Sequence, residues 1–198
     1  MIYAALLRGI NVGGNNKIDM KQLKLTFEQA GMTAVKTYIN SGNIIFADTG
    51  RSRLEIAAVL EQAILADYGL DIRVLVRSIV DMAAINTAIP ADWTNDSRMK
   101  SDCLFLWDEI DHPSILERMT MKPEVDTVLY VPGAVLFSVP KDKVTRSGML
   151  KLAGTALYKQ MTVRNVNTAR KIFELMQAAE VQEPAGGTAG SGSAEISR

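Results

Sequence analysis

Apolar and polar positions change over in short blocks from the start of the chain. Ile2–Leu7 is an unbroken apolar run of strand length, and a Gly/Asn-rich loop follows over residues 9–16. Beyond it Met20, Leu23, Phe27 and Ala30 recur at helical spacing. Asp19 is placed to cap this helix, with Gln22 as its capping partner, Ile18 and Leu23 as hydrophobic staple, and Gly31 as the left-handed stop. Residues 35–40 and 44–47 are β-rich runs joined by Ser41-Gly42-Asn43, a hairpin signal. Ser52 and Glu55 form a second capping box, opening a helix through Leu54, Leu60, Ile64 and Tyr68 to Gly69, and residues 72–76 read as a strand. The order is β-α-β-β-α-β, that of a ferredoxin-like unit.

The pattern then repeats. A short connecting helix over residues 81–87 and a loop over 90–100 lead to a strand at 102–107 and a helix near 113–119. Strands at 125–131 and 135–139 flank the turn Pro132-Gly133, and a helix near 147–158 precedes a strand at 161–164. The two halves share negligible residue identity, so the repeat is one of structure. The fold class expected is α+β: two tandem ferredoxin-like halves, residues 1–78 and 79–178. The second closes with a helix capped by Asn167. Residues 179–198, rich in Gly and Ser, offer too little apolar surface to offset ordering and read as a flexible tail.

Composition narrows the functional classes. With 47% apolar and 22% charged residues over 198 positions, the chain has material for a substantial core. The first apolar run meets Arg8 far short of membrane-spanning length, so no membrane partner and a cytoplasmic location are expected. Cys103 is the only cysteine, which excludes an intramolecular disulfide and a cysteine-built metal site; it sits in an apolar run as a core thiol. A formal net charge of zero argues against avid, nonspecific nucleic-acid binding. Yet Lys141, Lys143, Arg146, Lys151, Lys159, Arg164, Arg170 and Lys171 face a single acid, Asp142, across residues 141–171. That stretch keeps nucleic acid open as a partner.

The site follows from chain direction. A right-handed β-α-β unit brings the loop at 9–16, the helix start at Asp19 and the turn at 41–43 to one edge of the sheet. Backbone N–H groups, a helix N-terminus and the cations Arg8 and Lys17 would make that edge receptive to an anion. The candidate ligand residues are Arg8, Gly9, Asn11, Gly13, Gly14, Lys17, Tyr38, Asn40, Ser41 and Asn43. Arg164 and Asn165 join them from a second strand-to-helix junction. A small anionic ligand, such as a nucleotide or phosphorylated metabolite, is the partner expected; an enzyme using the same Arg/Asn/Ser cluster as polarising donors is the alternative.

Other chemistries have less support. Gly9 to Gly14 has Walker A spacing, but Asn15-Asn16 stands where Lys and Ser/Thr belong. Ser41 is not in a nucleophile elbow, and the single histidine, His112, reads as a helix entry before Pro113. Asp108, Glu109, Asp111 and His112 cluster without a second group to complete a shell, so neither metal nor cofactor is expected. Aromatic content is 6%, no RNA-recognition motif is present, and Tyr3 and Phe46 alternate into the core.

Three stretches carry a family resemblance: residues 6–14, the segment Thr37-Tyr38-Ile39-Asn40-Ser41-Gly42-Asn43, and residues 162–168. Together they resemble the uncharacterised bacterial family known as domain of unknown function 1697, over residues 1–178. The third departs slightly from the pattern, with Val166 where relatives often carry an aromatic. The resemblance implies an α+β fold of two related halves and no established activity, substrate or cofactor.

Overall fold

A computed structural model describes residues 1–182; the Gly/Ser-rich segment expected to form a tail lies, from residue 183 onward, outside the described residues. The first half runs β1 (Ile2–Leu7), α1 (Met20–Gln29), β2 (Thr33–Tyr38), β3 (Asn43–Ala47), α2 (Arg53–Tyr68), β4 (Val74–Ser78) and α3 (Ile79–Ala88). The second runs β5 (Met99–Leu106), β6 (Thr127–Val131), β7 (Ala134–Pro140), α4 (Met149–Leu152), β8 (Met161–Asn165) and α5 (Val166–Gln182). Each half builds a four-stranded antiparallel sheet, in the orders β2-β3-β1-β4 and β6-β7-β5-β8. The architecture is mixed α+β with the same strand order twice.

Strand β1 is apolar throughout, and β5 from Cys103 to Leu106, because both faces of each are covered there; the polar Lys100, Ser101 and Asp102 lie near the start of β5. Alternate residues of a strand point to opposite sides. Ile2, Ala4 and Leu6 of β1 pack into a shared core with Cys103 and Phe105 of β5. Tyr3, Ala5 and Leu7 face α1 and α2, and Tyr3 stacks on Phe46 there. Helices α3 and α5 contribute Met82, Ile85, Ile172 and Met176 to the shared core, and α5 touches β1 and β3 of the first half as well as β5 and β8 of its own. The two sheets are thereby joined through helices that follow β4 and β8 without a linker.

Local signals explain most boundaries. Asp19 caps α1 by accepting from Lys21 N and Gln22 N, without the return bond from Gln22; Gly31 adopts φ +89°. Ser52 and Glu55 complete a capping box, and Gly69 ends α2 in the left-handed region. Strand β2 stops at Tyr38, earlier than expected, and α3 starts two residues early, at Ile79, with Ser78 and Asp81 as an unforeseen capping box. Helix α5 is capped by Asn165, whose Oδ1 accepts from Thr168 N, and not by Asn167; it continues to Gln182, beyond the expected end at 178.

Two expected helices of the second half are largely absent. The segment near 113–119 is a 3-10 turn, Pro113–Arg118, with His112 Nδ1 accepting from Ser114 N. The segment near 147–158 holds only the four-residue α4 and a 3-10 turn at Tyr158–Gln160. Gly154-Thr155 interrupts it. Its start is drawn into the core, where Gly148 N donates to Asp126 Oδ2 at 2.9 Å and a side chain at 148 would lie 1.9 Å from Thr120 O. A backbone held so closely elsewhere cannot extend a regular helix.

Candidate ligand site at the loop edge

The end of β1 and the end of β2 share one rim of the first sheet: Asn43 pairs with Leu6 on one side and Tyr38 on the other. Leu7 N donates to Gly42 O at 2.8 Å, so the hairpin turn lies directly against the exit of β1. Asn11 ties the loops together. Its Oδ1 accepts from Ile18 N at 2.9 Å, and its Nδ2 donates to Ile18 O at 3.0 Å and to Asn40 O at 2.9 Å. Asn11, Asn16 and Ile39 all adopt left-handed backbone, at φ +54°, +46° and +48°. Asparagine tolerates that region; a β-branched residue does so only under strain.

These loops enclose an open hollow of about 310 Å³, lined by Asn11, Gly14, Lys17, Ile18, Asp19, Met20 and Asn40. Lys17 is exposed and makes no ion pair among the described residues. The N-terminus of α1 is taken by Asp19 itself. Negative charge in the hollow would therefore be met by Lys17, with Asp19 as an opposing neighbour.

The other expected site residues are placed elsewhere. Arg8 donates to Met161 O and stacks its guanidinium 5.4 Å from the centre of the Tyr158 ring. Gly9 O accepts from Asn16 Nδ2, and Gly13 adopts φ +59° within the exposed loop. Tyr38 packs against the shared core and is absent from the hollow's lining. Asn43 is fully buried and donates to Tyr38 O and Ser41 Oγ. Its Oδ1 accepts from Arg164 Nε at 2.5 Å.

Arg164 is a brace between the halves. From β8 it donates to Leu7 O at 2.9 Å, Ser41 O at 2.8 Å and Gly42 O at 3.3 Å, as well as to Thr162 Oγ1 and Val163 O in its own half. Burial of the guanidinium among neutral acceptors lowers its pKa to about 10, which leaves it charged at neutral pH. The basic stretch at 141–171 thus does not form one surface: Arg164 is buried, Arg170 donates to Trp93 O and Pro90 O, and Lys171 pairs with Glu174.

A family model described as "Protein of unknown function (DUF1697)" matches residues 1–137. The chain belongs to the DUF1697 family. The matched span covers the two loop motifs of the first half and ends before the third motif, at 162–168. The DUF1697 chain is similar to the solved structure of the conserved bacterial protein SP0830 from Streptococcus pneumoniae, at 27% identity and a TM-score of 0.77 over 88% of this chain and 98% of that one. No curated protein matches it. No helix of the described residues is long and apolar enough to cross a membrane.

One residue that pattern reading passes over is Arg77, the counterpart of Arg164 in this DUF1697 chain. Arg77 sits opposite Ala4 of β1, and Arg164 opposite Cys103 of β5. Arg77 donates to Leu106 O and, at 3.4 Å, to Gly133 O, the second-half equivalents of Leu7 and Gly42. A faint sequence signal was available: Val76-Arg77-Ser78-Ile79 and Val163-Arg164-Asn165-Val166 share Val-Arg, a polar cap and an apolar helix start. Val166 itself is fully buried.

Proposed function

We propose that this DUF1697 chain is a binding protein for a small anionic ligand, a nucleotide or phosphorylated metabolite, at the loop edge of the first half. The observation that carries the reading is Lys17, an exposed ammonium without an ion pair among the described residues, on the wall of the hollow it shares with Gly14 and Asn40. The hydrogen bonds of Asn11 hold both loops in place before a ligand arrives, which reduces the ordering cost of binding. Asn11, Asn43 and Arg164 direct their donors to the protein's own carbonyls and side-chain oxygens. That favours binding over the alternative in which the same cluster polarises a reacting group.

The strand orders and the helix placement of the first half support a ferredoxin-like assignment for each half. A cytoplasmic working place belongs to the same reading, since a free, buried Cys103 suits a reducing compartment.

The test is calorimetric titration of the chain with inorganic phosphate, nucleoside monophosphates and sugar phosphates, alongside Lys17→Gln. Saturable binding of one class, weakened at least tenfold in Lys17→Gln with the fold intact, is the expected result. Binding unaffected by Lys17→Gln, or absent across the series, removes the reading.

A further inference from the structure

A second concavity, of about 320 Å³, lies where the halves meet, between α2, β4 and the turn after β5. Leu54, Ala58, Val76, Arg77, Trp107 and Asp108 are among its lining residues. Leu54 is 70% exposed although apolar, and Ala58 is exposed one helical turn on. The outer stripe of α2 beside this groove is therefore apolar and uncovered.

Comparison of the two equivalent arginines shows what the groove lacks. Arg164 has an acceptor for each nitrogen, the one for Nε being Asn43. In the second half Ala134 stands at the register position of Asn43, opposite Phe105 as Asn43 is opposite Leu6. Arg77, 2% exposed, consequently has no partner for Nε among the described residues. Among the described residues its only carboxylate within salt-bridge distance is Asp108, 3.6 Å from Nη1 and 46% exposed. A buried guanidinium is thus left short of an acceptor and of a close counter-charge, beside an apolar groove.

The other charges around the groove have partners elsewhere, Arg53 in Asp81 at 3.1 Å, except that Glu61 makes no ion pair among the described residues. Glu61 accepts from Val74 N at 2.8 Å, Glu109 pairs with Arg73 at 3.1 Å, and the Arg73 guanidinium stacks 4.4 Å from the Trp107 ring centre. Val76 O is occupied by Arg77 Nη1, so the outer edge of β4 is capped by its own side chains and is a poor template for an added strand.

We infer that this groove is a second ligand site, taking a small carboxylic acid with an apolar body. The carboxylate displaces Asp108 as the counter-charge of Arg77, and the apolar part lies along Leu54, Ala58 and Trp107. Pockets of this size at the contact between two folded units, with a largely apolar surface and a few fixed polar groups, are where small ligands bind.

Phenylacetate and its neutral isostere phenylacetamide are the probes. Trp107 fluorescence of the full chain reports binding in a Trp93→Phe background. Phenylacetate is expected to give a saturable change, with phenylacetamide at least tenfold weaker. Asp108→Asn, which removes the competing carboxylate, is expected to tighten phenylacetate binding several-fold, an effect that damage to the fold would not produce. Ala58→Phe, filling the groove from an exposed position, is expected to abolish it, and Lys17→Gln to leave it unchanged. Equal response to acid and amide, weaker binding in Asp108→Asn, or no effect of Ala58→Phe overturns the inference. Sensitivity to Lys17→Gln moves the acid to the loop edge and overturns it equally.

Discussion

The side chain of Arg164 reaches across 121 residues of sequence to place Nε 2.5 Å from Oδ1 of Asn43, the first residue of β3. This contact binds the second half to the rim that carries the candidate ligand site. Asn43→Ala leaves a buried, charged donor without its acceptor, and such a loss costs about 2–3 kcal/mol. In Arg164→Met, the further change Asn43→Ala is expected to cost less than half as much, because the donor has gone. A double-mutant cycle in urea tests this; additive effects would show that the two side chains stabilise the fold independently.

How far the chain could be read in advance differed between the halves. The first was legible because its signals are local: an Asp cap, a Ser/Glu capping box and Gly stops each act within four residues. The shared rim followed from handedness alone. In the second half, the expected helix near 147–158 is lost because Asp126 and Gly148, 22 positions apart, hold the start of that segment in another path. The bulge in β2 between Thr33 and Lys36, with Ala34 at φ +51°, has no turn residue to announce it. Chain direction put Asn11 and Asn43 at one rim. It could not show that their amides would be used by Ile18, Asn40, Tyr38 and Arg164.

Gly42 and Gly9 separate crowding from backbone strain. Both have positive φ, +75° and +72°. A side chain at 42 would lie 2.7 Å from Leu7 Cβ and 2.9 Å from Ile10 Cδ1, whereas one at 9 meets nothing within 4 Å. Gly9→Ala is expected to cost about 1 kcal/mol, from conformation alone. Gly42→Ala should cost at least about 2 kcal/mol more, since packed neighbours must move. Equal shifts in the urea midpoint would mean that Leu7 and Ile10 yield freely.

Ile39 is strained where its side chain contributes little. It is 49% exposed at φ +48°, beside Asn40, whose carbonyl accepts from Asn11. Ile39→Asn keeps the backbone and relieves the steric penalty, so stability should rise by about 0.5–1 kcal/mol. A fall would show that the exposed apolar side chain, and not the backbone, sets the free energy at this position. A gain accompanied by weaker ligand binding would place the side chain in the recognition of the ligand.

Asp48 should make part of the stability dependent on pH. Burial by itself raises its pKa. The hydrogen bonds from Arg51 Nε at 2.8 Å, Arg51 N at 3.0 Å and Gly50 N at 3.1 Å outweigh that and hold it below the ordinary carboxylate value. A carboxylate with a lowered folded pKa binds protons more readily when unfolded. Its contribution is therefore complete above the unfolded value, near pH 4, and is lost as pH falls through the folded one. Asp48→Asn removes the charge that these donors stabilise, so the variant should be less stable by about 1–2 kcal/mol at pH 7. The two proteins should converge as pH falls below about 4. Urea unfolding at pH 7 and pH 3 checks this, and a difference unchanged between the two pH values would assign the effect of the substitution to packing.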